Sequence, residues 1–210
     1  MFDLAERIDP RTTALVVVDA QNDFCHGDGA LAKIGSDVSA AQGMIPRLLL
    51  LVDAARGAGA MVIWVKMVRG PHTISEVERE HRAHMRPGAP LVCLEGSWGG
   101  EFYRVEPAEG EPIVQKHRYS AFVDTDLPLI LRTHDIKTLI MTGVATNVCV
   151  ESTARDAYMR DYHIVLVDDC SAAYSPPKHA AALTNIADQF GYVVRSADIF
   201  EAWRKTPAIA

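Results

Sequence analysis

The segment A14-L-V-V-V-D19 decides the fold, because it is a short, unbroken apolar run that ends in a charged residue. Such runs are typical of strands that are buried on both faces of a parallel sheet. A second run of this kind is M61-V-I-W-V65, and residues 45–58 between the two carry apolar residues at helical spacing before Gly59. Strand, helix and strand in this order predict a β-α-β unit.

The rest of the chain repeats this alternation. We predict further strands at residues 113–116, 139–142, 164–167 and 192–194, and helices over residues 127–133, 148–160 and 177–190. Strands that alternate with helices form parallel sheets with helices on both faces, so we expect a three-layer α/β/α fold.

One long stretch, residues 67–110, interrupts the alternation. It is rich in Gly, Pro, His and Arg, with one predicted helix near residues 75–84. Irregular stretches of this length are uncommon inside a domain and usually carry binding functions. We therefore expect a lid or insertion at about residues 67–110, within a single domain that spans residues 1–210.

Composition and charge exclude several classes of function. The 210 residues carry a formal charge of −6, which disfavours nucleic acid as a partner. No apolar run is long enough to span a bilayer, and the acidic start does not resemble a signal peptide. We expect a cytoplasmic protein with no membrane contact, with no cofactor, and with four free cysteines, since none of them forms a C-x-x-C pair.

Ionisable and nucleophilic residues follow the predicted strands. In parallel sheets, ligands bind beyond the carboxyl ends of the strands, so the residues that end strands are the first candidates for a site. Asp19, Lys66 and Lys116 end three of these strands, and residues 143–149 follow the fourth. Their position predicts an active site at this edge of the sheet.

Cys149 lies in G143-V-A-T-N-V-C149, a predicted junction between a strand and a helix. A thiol in the first turn of a helix has a lowered pKa and forms a thiolate nucleophile more readily. The free backbone N–H groups of the same turn can stabilise an oxyanion. The alternative is a cysteine that only packs in the core, and spacing alone favours neither.

Asp19 and Lys116 each have a simple structural alternative as well. A carboxylate at the end of an apolar strand is partly desolvated and suits general acid–base chemistry, but a lone one more often forms a turn. A lysine at a strand end is usually a solvated charge, although beside Asp19 and a thiol it can orient both. No histidine ends a strand, which argues against a Cys-His dyad.

Four motifs resemble the isochorismatase-like cysteine hydrolases across nearly the whole chain except residues 67–110. They are V16-V-V-D-A-Q-N-D-F24, K116-H-R-Y-S-A-F122, G143-V-A-T-N-V-C-V-E-S-T-A-R-D-A157 and D168-D-C-S-A-A173. The resemblance implies a six-stranded parallel sheet in a Rossmann-like order, in a homodimer or homotetramer. It also implies a catalytic triad of Asp19, Lys116 and Cys149, and a cis peptide bond between Val144 and Ala145.

The resemblance further implies a covalent mechanism. Cys149 attacks a carbonyl carbon, the N–H groups of Ala145 and Cys149 hold the oxyanion, and Asp19 transfers protons while Lys116 orients the carboxylate and the thiolate. A thioester forms as ammonia or an amine leaves, and water then hydrolyses it. The expected enzyme is an amidohydrolase that acts on C–N bonds other than peptide bonds.

Two departures narrow the substrate to a small amide or ureide. The nicotinamidases of this family carry a D-x-H metal motif after the second strand, where this chain reads V65-K-M-V-R-G-P-H72, so we expect no metal site. Several true isochorismatases lack the cysteine, whereas Cys149 is present here. The motifs look most like the ureidoacrylate amidohydrolase branch, with biuret and carbamoyl-amide hydrolases as neighbouring types.

The candidates for substrate binding are less sharply defined. Trp98 could equally be a packing residue of the insertion. Gln189 could be a polar residue on the solvent face of the last long helix. Most arginines of the insertion are better explained as charges on a solvated helix face. His81 and His84 lack a third metal ligand in helical register. An arginine of the insertion could pair with a substrate carboxylate. The candidates are Phe24, Trp98, Tyr119, Val144 and Gln189 for the pocket, and Arg69, Arg79, Arg82 and Arg86 for the carboxylate.

Two other functions stay open at this point. A vinyl ether hydrolase of the isochorismatase type would need Asp19 but not Cys149. A non-catalytic member that binds a metabolite or a protein would need none of the three triad residues.

Overall fold

The computed structural model describes residues 3–85 and 87–205. The strands are β1 (Thr13–Val18), β2 (Met61–Met67), β3 (Ile113–Lys116), β4 (Thr138–Val144), β5 (His163–Ala172) and β6 (Tyr192–Val194). The helices of this described part are α1 (Leu4–Arg7), α2 (Asn22–Cys25), α3 (Ala30–Lys33), α4 (Ser39–Ala58), α5 (Glu76–Met85), α6 (Leu127–Thr133), α7 (Glu151–Tyr158), α8 (Pro176–Gln189) and α9 (Ser196–Lys205).

All six strands are parallel and form one sheet in the order β3-β2-β1-β4-β5-β6. The chain starts at the centre of the sheet, builds outward to β3, returns, and then builds outward to β6. Both predicted features of the fold, the parallel six-stranded sheet and the Rossmann-like order, are confirmed. The order reverses between β1 and β4, so a crevice is expected above the ends of these two strands.

Alternate residues of the central strands pack into two different apolar layers, which makes β1 buried along its whole length. Leu15 and Val17 pack on the side of α4 and α9, whereas Ala14, Val16 and Val18 pack on the side of α6, α7 and α8. Both faces of this strand are buried, so polar side chains on either face would lose their contact with water. This explains the unbroken apolar run.

Two helices differ from the predicted bounds. Helix α4 starts at Ser39 rather than at residue 45, because Ala41 and Met44 extend its buried face by more than a turn. The helix predicted over residues 148–160 is a π-helical turn, Thr146–Val150, followed by α7. The turn is π-helical because the Ala145 carbonyl accepts a hydrogen bond from the N–H of Val150, five residues on.

The long stretch between β2 and β3 contains α5 and a short 3-10 turn, Trp98–Gly100. None of the ten residues of α5 is buried. Within the described residues, no helix is both long and apolar enough to cross a lipid bilayer.

Candidate active site

Asp19, Lys116 and Cys149 meet at the carboxyl edge of the sheet, where the sequence places them. The Lys116 Nζ lies 2.8 Å from Asp19 Oδ2 and 3.3 Å from Cys149 Sγ, and it also donates to the Arg118 carbonyl at 3.1 Å. Asp19 and Lys116 are fully buried, and Cys149 is 5% exposed. All three ammonium protons therefore have acceptors, as a buried lysine requires.

The register of the sheet produces this meeting. Lys116 is the last residue of β3 and pairs with Met67, while Val18, just before Asp19, pairs with Gly143 of β4. Gly143 has φ +105°, and a Cβ there would lie 2.0 Å from the Val18 carbonyl oxygen. Only glycine allows β4 to leave the sheet this close to β1, and the chain then continues directly into the turn that holds Cys149.

Cys149 is the fourth residue of the π-helical turn, and its carbonyl accepts a hydrogen bond from Thr153 Oγ1 at 2.7 Å. The peptide bond between Val144 and Ala145 just before this turn is cis. Cys149 therefore lies in a π-helical junction rather than in the first turn of a regular α-helix, because α7 begins only at Glu151.

The prediction of a lowered thiol pKa is wrong. Burial raises the pKa of Cys149 to about 12, and the Asp19 carboxylate adds to the rise, while the Lys116 ammonium opposes it. Burial also acts to lower the pKa of Lys116, but Asp19 and Cys149 outweigh it, so this pKa is raised and the lysine stays protonated. The resting state is therefore a neutral thiol beside a lysine–carboxylate ion pair.

The carboxylate of Asp19 retains a free acceptor. Its Oδ1 has no hydrogen-bond partner within residues 3–85 and 87–205, although the atom is buried. A buried carboxylate oxygen without a partner is costly, and such atoms are found at functional sites. Beside a thiol that needs a base, this oxygen is suited to accept the proton.

A cavity of about 560 Å³ opens above the thiol. Its wall includes Cys149 and Ala145, together with two of the predicted substrate-binding residues, Phe24 and Tyr119. This volume lies in the range of small-molecule sites, and Cys149 forms part of the wall of the cavity.

The other three predicted binding residues lie elsewhere, and none of them belongs to the described lining of this cavity. Trp98 is half-exposed and packs edge-on against His26, with ring centroids 5.0 Å apart. Val144 is fully buried in the apolar layer beneath the sheet, and Gln189 is exposed at the end of α8.

The arginines of the insertion differ in role. Arg69 lines the cavity, is 5% exposed, and donates from Nε to Glu78 on α5 at 2.7 Å. Arg82 lines the cavity as well, and both Arg79 and Arg82 donate to carbonyls of the insertion itself. Arg86 lies outside the described residues. No group of three or more His, Cys, Asp and Glu side chains in the described parts of the chain could hold a metal ion.

The lysine at the end of β2 does not join the triad. Lys66 lies with its Nζ 5.6 Å from the centroid of the Phe102 ring. Its ammonium therefore forms a cation–π contact with the insertion, on the far side of β2 from Lys116.

Several residues to which sequence reasoning assigned no such role hold the insertion against this edge. Gln21 Nε2 donates to the carbonyls of Met67 and Gly100, and Asp23 Oδ2 accepts from the N–H of Cys93 at 2.6 Å. The polar run A20-Q-N-D after β1 was the only available signal, and it indicates hydrogen bonding without naming the partner.

Tyr174 was missed as well, since it follows β5 in a segment without a recognisable pattern. It lines the cavity and donates from its hydroxyl to the Phe24 carbonyl at 3.1 Å. Burial raises the pKa of Tyr174 well above its usual value, and nearby Cys25, Cys149 and Asp19 add to the rise.

Comparison with known proteins identifies the family of this chain. The model of the Isochorismatase domain family matches residues 13–198. The chain belongs to the isochorismatase family. The ureidoacrylate amidohydrolase RutB of Methylobacterium radiotolerans is 38% identical over 200 residues, which cover 89% of this chain and 77% of the relative. RutB of an Enterobacter species is 36% identical over 206 residues, which cover 92% of this chain and 90% of the relative.

Solved structures of similar proteins have the same architecture. A cysteine hydrolase from Pseudomonas syringae pv. phaseolicola superposes with a TM-score of 0.82 and 30% identity, covering 94% of this chain and 95% of that one. A pyrazinamidase of Pyrococcus horikoshii in complex with zinc superposes with a TM-score of 0.75 and 29% identity, covering 88% and 99%.

These relatives confirm that this isochorismatase family member is a hydrolase acting on C–N bonds other than peptide bonds. They do not favour the vinyl ether hydrolase or the non-catalytic binding protein.

Proposed function

We propose that this protein hydrolyses a small ureide through a thioester on Cys149, and that its substrate resembles ureidoacrylate. The observation that carries the proposal is the position of the Lys116 Nζ, 2.8 Å from a carboxylate oxygen of Asp19 and 3.3 Å from the sulfur of Cys149. A buried ammonium between a base and a nucleophile is an arrangement that packing alone does not require.

The raised pKa of the thiol determines the first step. Because Cys149 is neutral at rest, its proton must move to Asp19 as the sulfur attacks the substrate carbonyl. Lys116 stays cationic and stabilises the thiolate that forms 3.3 Å away. The carbonyl oxygen becomes an oxyanion, held by the backbone N–H groups of Ala145 and Cys149, whose residues both line the cavity.

The remaining steps return every group to its starting state. The C–N bond breaks, and the leaving ammonia or amine takes the proton from Asp19, which leaves a thioester. Asp19 then removes a proton from water as the water attacks this thioester. The C–S bond breaks, and the thiolate recovers its proton from Asp19.

The substrate assignment rests on the relatives. The two curated relatives described above are both named ureidoacrylate amidohydrolases, and their alignments cover 89% and 92% of this chain. Phe24 and Tyr119 would contact the substrate, since both line the cavity next to Cys149. The placement of Trp98, Val144 and Gln189 gives these three no such support.

The setting of the enzyme belongs to the proposal too. We place it in the cytoplasm, in keeping with four buried free thiols. We expect a homodimer or homotetramer, because the apolar side chains of Leu129, Tyr158 and Met159 are 48–70% exposed. Residues 67–110 would act as the lid of a single domain. Light scattering after size-exclusion chromatography measures the assembly.

The test is a panel of ureides, carbamoyl amino acids and aromatic amides, assayed for ammonia release, with ureidoacrylate among them. We expect turnover of ureidoacrylate and a loss of more than about 10³-fold in Cys149→Ala and in Asp19→Asn. Cys170→Ala is the matched control, since this buried thiol lies in the opposite apolar layer and should keep turnover. Full turnover in Cys149→Ala would rule out the covalent mechanism.

A further inference from the structure

A chain of three polar side chains reaches the catalytic turn from β5 and α8. Thr146 Oγ1 lies 2.9 Å from His179 Nδ1, and His179 Nε2 lies 2.9 Å from Asp168 Oδ1. Thr146 is the first residue of the π-helical turn, His179 lies in the first turn of α8, and Asp168 lies in β5. Three separate elements are therefore joined at the segment that carries Cys149.

The chemistry of these groups sets the direction of the hydrogen bonds. The Asp168 carboxylate only accepts, so His179 must donate to it from Nε2. In the neutral ring Nδ1 is then an acceptor, and it receives the hydroxyl proton of Thr146. The second oxygen of Asp168 lies 3.6 Å from a guanidinium nitrogen of Arg195, so both carboxylate oxygens have a cationic or hydrogen-bonding neighbour.

Hydroxyl, imidazole and carboxylate follow in the same order as in a serine hydrolase triad, but Thr146 is not placed to attack a substrate. Its exposure is 0%, and it is absent from the described lining of the cavity. A hydroxyl with no access to the cavity reacts with nothing, so the function of the chain must lie in what Thr146 holds in place.

What Thr146 holds is the wall of the cavity beside the sulfur. It follows Ala145, and the Ala145 carbonyl accepts the N–H groups of Val148 and Val150 at 3.0 and 3.3 Å. Fixing the Thr146 side chain to α8 therefore fixes the orientation of the peptide groups on either side of it. Ala145 lines the cavity, and its N–H is one of the two proposed oxyanion donors.

We propose that His179 is a positioning residue, which, oriented by Asp168, holds Thr146 and so aims the oxyanion donors at the reacting carbonyl. This inference rests on the proposed function, because the oxyanion donors belong to that proposed mechanism. It assigns no chemical step to His179 itself. Such a residue contributes to the transition state more than to substrate binding, so its loss lowers kcat and leaves KM nearly unchanged.

The first test does not depend on turnover. Nitrogen-15 NMR of the histidine rings should show His179 as the neutral tautomer with its proton on Nε2. In Thr146→Val, which removes the hydroxyl at nearly constant shape, the Nδ1 resonance should move to higher frequency as the nitrogen loses its donor. A His179 ring with its proton on Nδ1, or one unchanged by Thr146→Val, would overturn the proposal.

The second test compares two replacements of the histidine. His179→Asn keeps an acceptor near the position of Nδ1, whereas His179→Gln places its amide near the position of Nε2 and leaves Thr146 unpaired. We expect kcat to fall about 10-fold to 100-fold in His179→Ala and His179→Gln, the scale of a small misplacement of reacting groups, and to recover in part in His179→Asn. Thr184→Val is the control, because this exposed threonine donates to the Ala180 carbonyl of the same helix.

Failure of this proposal can be told apart from failure of the proposed function. If Cys149→Ala abolishes turnover but His179→Ala keeps full kcat, the positioning role alone is wrong. If His179→Ala raises KM in step with the loss of kcat, the residue shapes substrate binding rather than the oxyanion donors. If the wild-type enzyme releases no ammonia from any ureide or amide, the NMR result still decides whether the hydrogen-bonded chain exists.

Discussion

Two regions enclose the cavity and are built in opposite ways. The catalytic floor, which we define as Asp19, Lys116 and Cys149, borders the cavity through Cys149, is at most 5% exposed and is set by strand register. The opposite wall includes helix α5, in which none of the ten residues is buried. The floor therefore resists change because every shift strains the core, whereas α5 is free to differ in sequence and position.

The two regions are attached to the sheet by different means. The floor is continuous with β1, β3 and β4, but α5 is tied to the segment just after β2 through the ion pair between Glu78 and Arg69, in which both side chains are mostly buried. This difference indicates that the reaction is encoded in the sheet and the choice of substrate in the insertion. Each prediction below tests one side of that contrast.

The largest effect is expected at the centre of the floor, in Lys116→Met. Removing the ammonium leaves the buried Asp19 carboxylate without a counter-ion, which costs about 3–5 kcal/mol of stability. It also removes the group that stabilises the thiolate, so turnover should fall by more than about 10³-fold. Thermal unfolding and ammonia release measure the two losses.

The matched control is Lys66→Met, at the corresponding end of β2. This lysine is half-buried and contacts the Phe102 ring, so its loss should cost about 1 kcal/mol or less and spare turnover. Adding Asp19→Asn to Lys116→Met should restore part of the lost stability, because the unpaired charge is then gone. Equal unfolding temperatures for the two lysine variants would contradict the contrast between buried and solvated strand ends.

The second prediction concerns the pH dependence of the thiol. Since the pKa of Cys149 is raised to about 12, its reaction with iodoacetamide should accelerate about tenfold for each pH unit from 7 to 10. An ordinary thiol levels off near pH 9, as the same protein unfolded in guanidinium should show. A plateau by pH 8 in the folded enzyme would mean that the floor already holds a thiolate.

The same shift has a consequence for stability. The unfolded thiol loses its proton near pH 9, whereas the folded one keeps it to about pH 12. The stability from keeping Cys149 neutral is therefore complete below pH 9 and falls as the pH rises toward 12. Burial also raises the pKa values of Cys25 and Cys170 to about 12, so these two thiols should add to the loss of stability at alkaline pH.

The contrast between floor and wall also explains what the sequence could predict. Asp19, Lys116 and Cys149 could be brought together from the sequence, because parallel strands place their carboxyl ends at one edge. The direction of the Cys149 pKa could not, because it depends on how completely the sulfur is desolvated, and spacing carries no measure of burial. A short motif indicates that a thiol lies near a helix N-terminus, but it does not indicate how deeply the sulfur is buried.

Other parts of the site had no local signal at all. His179 and Asp168 come from the first turn of a helix and the middle of a strand, and only the packing of α8 on the catalytic turn brings them to Thr146. Trp98 and Gln189 looked like pocket residues because of their chemistry, yet one packs on His26 and the other faces solvent. Residue type alone does not place a side chain that lies outside the sheet.

The smallest effect is expected where the wall is attached, in Glu78→Gln. The change keeps the shape of the side chain but removes the charge that holds Arg69, 2.7 Å away, so α5 should shift while the floor stays in place. We expect KM to rise about 3-fold to 10-fold with kcat unchanged, because only contacts shared by the ground state and the transition state are lost.

The control for this change is Glu80→Gln, two residues away on the same helix and exposed to solvent, which should alter neither constant. Steady-state kinetics on the best substrate of the panel distinguishes the outcomes. A fall in kcat at constant KM in Glu78→Gln would place α5 in the chemistry itself. That result would contradict the separation of wall and floor. It would mean that α5, in which no residue is buried, determines the geometry around the Cys149 sulfur.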